Sequence, residues 1–257
     1  MLDFLKNHPF PVQAFFDYSL VFSFAVPKEE LEDRIPPCLE IDTFQSSING
    51  SKKEYGFVAV AMVKTKELRP LGFPKFMGND FFLIGYRIFV NYTDSKGKKL
   101  RGLYILKSET DKAKMKILGG IFTQYKYSII DIKTQKTDNQ FHIFSEKTNF
   151  NVKVEFENED TTEISLPKNS PFKDWKEARR FAGPLPNTFT FDAQRNEILI
   201  IKGLRQNWRP APVKVLEHTI PFFEEFNFEN PILANAFQIE NIPYQWEKGR
   251  FDTWNKK

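Results

Sequence analysis

The sequence predicts an α+β, β-rich fold: a single domain over residues 1–257, built on a closed or strongly curved, mostly antiparallel β-barrel with two or three short helices. Three observations lead there. Phe16, Tyr18, Leu20, Phe22, Phe24 and Val26 recur at every second position, the period of a half-buried strand. About ten segments of this kind follow one another with only short helical patterns between them, which suits a curved sheet. Aromatic residues make up 16% of the chain, with 28 Phe, 8 Tyr and 4 Trp, and aromatics favour pleated, half-buried surfaces.

The elements can be justified in order. Phe15–Val26 is the first strand. Pro27 starts a short helix with Leu31 and Ile35 on one face, and Pro36-Pro37 ends it. Strands are expected at Leu39–Phe44, Tyr55–Lys64, Phe81–Tyr92 and Arg101–Lys107. Ser108-Glu109-Thr110-Asp111 has the form of a helix cap, and the helix it opens carries Met115 and Leu118 before Gly119-Gly120 closes it. Ile121–Ile132 reads as a strand, followed by a loop through Lys133–Gln140 and strands at Phe141–Glu146 and Phe150–Glu157. Ser170-Pro171 opens a helix with Trp175, Ala178 and Phe181 inward, stopped by Gly183-Pro184. Strands return at Thr188–Asp192, Glu197–Lys202, Val213–Thr219 and Asn235–Glu240.

Composition excludes several classes. The single cysteine, Cys38, rules out an intramolecular disulfide and a cysteine-based zinc cluster. His8, His142 and His218 stand at no helical ligand spacing, so no metal site is expected, and no cofactor motif is present. The net charge is +4 and the charges are mixed. The cluster Lys96, Lys98, Lys99 and Arg101 reads as a solvated hairpin turn and not as a nucleic-acid surface. No apolar run reaches the length of a transmembrane helix. The sequence therefore predicts a cytoplasmic protein with neither nucleic acid nor membrane as partner.

Chemistry is carried by the central strands. Arg87 shares a strand face with Phe81, Leu83, Gly85 and Phe89, and a guanidinium on an apolar face must find an anion. That anion is either a ligand carboxylate, gripped in bidentate fashion, or an internal carboxylate such as Glu109. In Ile121–Ile130, Phe122, Gln124, Lys126, Ser128 and Ile130 share one face, while Ile121, Thr123, Tyr125, Tyr127 and Ile129 share the other. The face with Gln124 and Lys126 looks either into a polar lumen or into water. If it looks inward, Lys126 is a candidate amine of lowered pKa. Cys38 follows two prolines and reads as a small apolar filler.

A family resemblance extends over roughly residues 15–245. Val26-Pro27-Lys28, then Ile35-Pro36-Pro37-Cys38-Leu39-Glu40-Ile41-Asp42-Thr43-Phe44, resembles the opening segment of an uncharacterised bacterial family. Gly56-Phe57-Val58, Arg69-Pro70-Leu71-Gly72-Phe73-Pro74 and Tyr104–Glu109 continue the match in order. That family is similar to acetoacetate decarboxylases, which implies a β-barrel with an internal cavity. The decarboxylases use a Schiff-base lysine whose neighbouring lysine lowers its pKa. By order, Tyr125 takes the place of that reacting lysine and Lys126 that of its partner, while Leu83 stands where their glutamate falls. Gly72-Phe73-Pro74-Lys75-Phe76 mimics the lysine motif but precedes the strand of Arg87.

Three functions follow from these residues. The first is a barrel that binds a small apolar organic acid with Arg87, Gln124, Tyr125 and Glu109, its decarboxylase chemistry lost. The second is a Schiff-base lyase using Lys126 or Lys75. The third is a non-catalytic protein whose aromatic excess serves homo-oligomerisation.

Overall fold

The computed structural model describes residues 4–46, 52–156, 166–206 and 208–254. Glu157, expected to end a strand, lies outside them. The first half of the chain holds β1 (Val12–Pro27), β2 (Glu40–Ile41), β3 (Phe44–Ser46), β4 (Lys53–Pro70), β5 (Asn79–Thr93), β6 (Lys99–Thr110) and β7 (Tyr127–Ile129). The second half holds β8 (Ile132–Lys136), β9 (Gln140–Ser145), β10 (Asn151–Phe156), β11 (Asn187–Asp192), β12 (Glu197–Arg205), β13 (Ala211–Thr219), β14 (Ile232–Trp246) and β15 (Arg250–Thr253). The described α-helices are α1 (Glu29–Glu32), α2 (Ala113–Phe122), α3 (Trp175–Ala182) and α4 (Phe222–Glu225).

The strands run in the order β15-β12-β11-β6-β5-β4-β1-β14-β13-β10-β9-β8. Pairing is antiparallel except where β6 meets β11 and β7. Gly203–Arg205 of β12 also pairs with Tyr244–Trp246 of β14, so the path bends back to meet itself. β1 is covered on both sides. Leu20, Phe22, Phe24 and Val26 enter the main core. Val21 and Ala25 face a second cluster with Phe57, Phe89, Phe172, Ala178 and Ala182. This double burial explains why aromatic and aliphatic residues fill consecutive positions.

Several expectations are corrected. Leu39–Phe44 is not one strand but two short ones, β2 and β3, each paired to a different neighbour. Ser108 caps nothing: it lies inside β6, opposite Gly85, because pairing with β5 continues through Thr110. The helix runs over 113–122, and neither Gly119 nor Gly120 takes a positive φ, so no left-handed glycine ends it. Thr123 closes it instead, its backbone N–H and hydroxyl both donating to the Gly119 carbonyl. The strand expected over Ile121–Ile132 shrinks to Tyr127–Ile129, and part of the expected loop at 133–140 is β8.

At α3 the cap is Asp174, not Ser170. The Asp174 carboxylate accepts from Glu177 N at 2.7 Å, and Glu177 reaches back to Lys173 N at 2.9 Å. Ser170 donates to the Ala234 carbonyl at 2.7 Å and so ties the preceding loop to β14.

Candidate functional site

A cavity of about 210 Å³ lies among β1, β4, β5, β6, β12, β14 and the ends of α2 and α3. Its lining is mostly apolar: Phe16, Val21, Ala61, Leu83, Phe89 and Phe237 are typical. Arg87 lines it from the middle of β5. The alternation read from sequence is correct here, since Phe81, Leu83 and Phe89 line the same space.

Gly85 is what lets Arg87 lie as it does. A Cβ built on Gly85 would fall 2.8 Å from Arg87 Nη2 and 2.9 Å from Nε, so the guanidinium folds over the bare glycine. Arg87 is densely surrounded yet keeps some accessible surface, as expected of a side chain that forms part of a cavity wall. Among the described residues, no carboxylate pairs with it and its guanidinium makes no hydrogen bond. Tyr244, Tyr125 and Tyr127 are the groups that act on it electrostatically. Burial pulls its pKa below the usual guanidinium value, but arginine stays protonated in any accessible range.

The internal partner suggested by the sequence is engaged elsewhere. Glu109 lies opposite Ile84 in the β5–β6 register, on the other face from Arg87. There it accepts from the Tyr86 hydroxyl at 2.7 Å and pairs with Lys107 at 3.0 Å. Tyr86 in turn stacks on Phe222 of α4 at 4.2 Å. The chain therefore keeps this buried carboxylate on the strand next to Arg87 but on the opposite face of the sheet.

The segment after α2 shows its period-two alternation with the faces reversed from the lumen reading. Thr123, Tyr125 and Tyr127 line the cavity, while Lys126 is exposed and outside it. Gln124 bonds to Asn7 at 3.1 Å and is likewise not part of the wall. Lys75 is exposed on the β4–β5 connection, 3.8 Å from Glu67. Of the residues singled out in sequence, the structure brings Arg87 and Tyr125 together and leaves Glu109, Gln124, Lys126 and Lys75 apart. Tyr125 is pushed up to about 12, by burial first, with Thr190 and Arg87 acting against the rise. Burial also raises Tyr127 well above an ordinary phenol. Both phenols are thus neutral donors at ordinary pH.

Tyr127 depends on Gly119. A Cβ there would sit 2.3 Å from the Tyr127 ring, whereas one on Gly120 meets nothing within 4 Å. The two adjacent glycines should therefore respond oppositely to alanine. Gly120→Ala is expected to stabilise by up to about 1 kcal/mol through helix propensity. Gly119→Ala should lose roughly 1–3 kcal/mol by overpacking. Chemical denaturation of the two variants checks the pair, and equal responses would refute the notch.

Sequence reasoning missed the wall contributed by the chain ends. Tyr244 stacks on Phe16 at 4.7 Å and lies opposite Arg205 in the β12–β14 register. Arg205 donates to the Pro184 carbonyl at 2.6 Å and sits 4.6 Å from the Trp208 ring. His8, Arg205, Trp208 and Tyr244 all line the cavity. Only Tyr127 had a local signal, its shared face with Tyr125.

His8 has its pKa lowered by burial, with a bond to the Glu247 carbonyl opposing, and burial lowers His218 as well. Well above pH 6.5 both rings are neutral folded or unfolded. As pH falls from 6.5 toward the lower folded values, only the unfolded chain takes up protons, so stability should decline across that window. Urea melts at pH 7.5 and pH 5.5 read this, and the His8→Phe/His218→Phe double variant should flatten the difference.

The fold is that of acetoacetate decarboxylase-like enzymes. The acetoacetate decarboxylase of Legionella pneumophila matches with a TM-score of 0.57 at 9% identity, over 94% of this chain and 86% of that one. An acetoacetate decarboxylase-like enzyme from Sphingomonas wittichii RW1 gives 0.56 at 10% identity, over 96% and 93%. The enduracididine biosynthesis enzyme MppR, complexed with pyruvate, gives 0.54 at 8% identity, over 95% and 90%. The chain itself belongs to the DUF2071 family, described as an uncharacterized conserved protein, whose pattern matches residues 15–250. Among curated proteins none matches the sequence.

Proposed function

We propose that this chain binds a small apolar organic acid inside a β-barrel cavity, with Arg87 receiving the carboxylate, and that Schiff-base decarboxylase chemistry has been lost. The observation that carries the reading is the charge of the wall. Arg87 and Arg205 line the cavity, while among the described residues no carboxylate and no lysine does. An arginine in an apolar cavity without a counter-ion is costly until an anion arrives. A carboxylate matches its planar fork with two parallel bonds.

The tyrosines add direction. Their neutral hydroxyls near the guanidinium can donate to the second lone pairs of the bound carboxylate, and the aliphatic and aromatic wall receives the rest. A cavity of about 210 Å³ suits a small monocarboxylate such as benzoate. Among the described residues no amine lines the wall to form an imine, and Tyr125 occupies the place that the resemblance gives to the reacting lysine.

Thermal melting against a matched series of benzoate, benzamide and benzyl alcohol tests the binding. Benzoate at a hundred times its Kd should stabilise by about 2.7 kcal/mol, roughly 5–11 °C for a chain of this size. The amide and the alcohol should do far less. If no carboxylate of this size shifts the melt, the reading is wrong. Incubation with acetoacetate and borohydride tests the chemistry and should leave every lysine unmodified. An adduct on Lys126, with carbon dioxide release that disappears in Lys126→Ala, would restore the decarboxylase alternative.

A further inference from the structure

The connection between β4 and β5 presents apolar side chains to water. Leu71 is 45% exposed, Phe73 48%, Phe76 87% and Met77 50%, four large apolar residues within seven positions. A soluble surface does not usually gather them so densely without a use. The conformation is held, not slack. Arg69 Nε donates to the Phe73 carbonyl at 3.0 Å, Leu71 N to the Pro11 carbonyl at 3.0 Å, and Met77 N to the Pro74 carbonyl at 3.1 Å. Gly72 supplies the left-handed residue of the turn at φ 87°.

Lysines lie on this tip and on the helix that starts at the same end of the sheet. Lys75 lies within the tip, 77% exposed, with only a long 3.8 Å pairing to Glu67 that an anionic surface can replace. α2 leaves the same end of the sheet, since Asp111, just before it, bonds to Phe82 N at 2.7 Å near the start of β5. That helix brings Lys114, Lys116 and the 63% exposed Ile117, with no acidic residue in its first turn. An isologous contact between two copies through this face would set these lysines against each other. An anionic surface instead satisfies both the charge and the apolar tip. The tip also projects outward from a strand connection, a shape suited to shallow insertion and not to receiving a helix.

We propose that this face docks on anionic lipid headgroups, with Phe73, Phe76 and Met77 entering the acyl boundary and Lys75, Lys114 and Lys116 meeting the phosphates. The cavity reaches the same end, being lined by Val12, Leu68, Phe81 and Met115. Among the described residues no helix is long and apolar enough to cross a membrane. The sequence-based expectation of no membrane partner rested on that length, which does not bear on a contact at headgroup depth. The proposal is independent of the cavity ligand and can fail or succeed without it.

Co-sedimentation with vesicles of phosphatidylcholine, with and without phosphatidylserine, is the experiment. The full chain should sediment with the phosphatidylserine vesicles and remain in solution with phosphatidylcholine alone. Lys75→Ala should weaken partition about fivefold, the factor supplied by one cation at an anionic surface, and Phe76→Ser about tenfold or more. Unchanged melting temperatures in both variants confirm that they are folded. No sedimentation, equal sedimentation with neutral vesicles, or binding indifferent to both substitutions would overturn the proposal. So would a dimer, seen by sedimentation velocity, that dissociates in Phe76→Ser, because a second copy would then be the occupant.

Discussion

Replacing Arg87 by leucine is expected to stabilise the ligand-free protein while abolishing its binding of organic acids. The two effects share one cause. The guanidinium sits in an apolar wall, folded over Gly85, with no carboxylate among the described residues to pair with it. Removing a buried, unpaired charge in favour of an apolar side chain of similar reach should gain about 1–4 kcal/mol. For a chain of 257 residues that is roughly 2–4 °C in Tm for each kcal/mol. Binding should move the other way. Truncating one partner of a buried charge pair costs about 2–5 kcal/mol, or some thirty-fold to several thousand-fold in Kd. Arg87→Ala separates charge from volume, because it loses the acid equally but leaves a larger hole. A melt of the ligand-free variants and calorimetry with benzoate measure both arms. If Arg87→Leu melts lower than the parent chain, or binds benzoate as before, Arg87 is a structural residue and the cavity reading loses its anchor.

Arg87 was legible in the sequence because a strand's period of two assigns every side chain to a face from local information alone. The same rule located β1 and the phenol face of Thr123, Tyr125 and Tyr127. What the pattern does not encode is which face looks inward, and here the tyrosines and not the lysine line the cavity. The stretch from Ser108 to Ile132 failed for a different reason. Ser108-Glu109-Thr110-Asp111 has the letters of a cap, but β5 offers a ladder partner as far as Thr110, and that long-range pairing outweighs the local preference. Gly119 has the letters of a helix stop, whereas its missing Cβ makes room for a ring eight residues later. His8, Arg205, Trp208 and Tyr244 reach the cavity only because β12 pairs with β14 and the path of strands returns on itself. No window of contiguous sequence carries that fact.

The largest loss of stability is expected from Phe57→Ala. Phe57 is fully buried on β4, and its ring meets Phe181 at 5.1 Å, Phe172 at 5.5 Å and Phe89 at 5.9 Å. Phe181 belongs to α3 and Phe172 to the loop before it, so this one ring joins the helix to the sheet. α3 is only eight residues long, too short to hold its shape without such packing. Truncation to alanine should cost about 3–5 kcal/mol, the transfer and cavity terms together. Phe57→Leu keeps most of the volume and should cost about 1–1.5 kcal/mol, close to the worth of the aromatic pairing. The loss should also reach the cavity, because Ala182 ends α3, Gly183, Pro184 and Leu185 follow it, and all four line the cavity wall. Hydrogen exchange should therefore show residues 175–182 opening well before the strands, and benzoate should recover part of their protection by binding only the closed form. Protection of α3 unchanged in Phe57→Ala, or a destabilisation below about 1 kcal/mol, would show that the helix is held by something other than this ring.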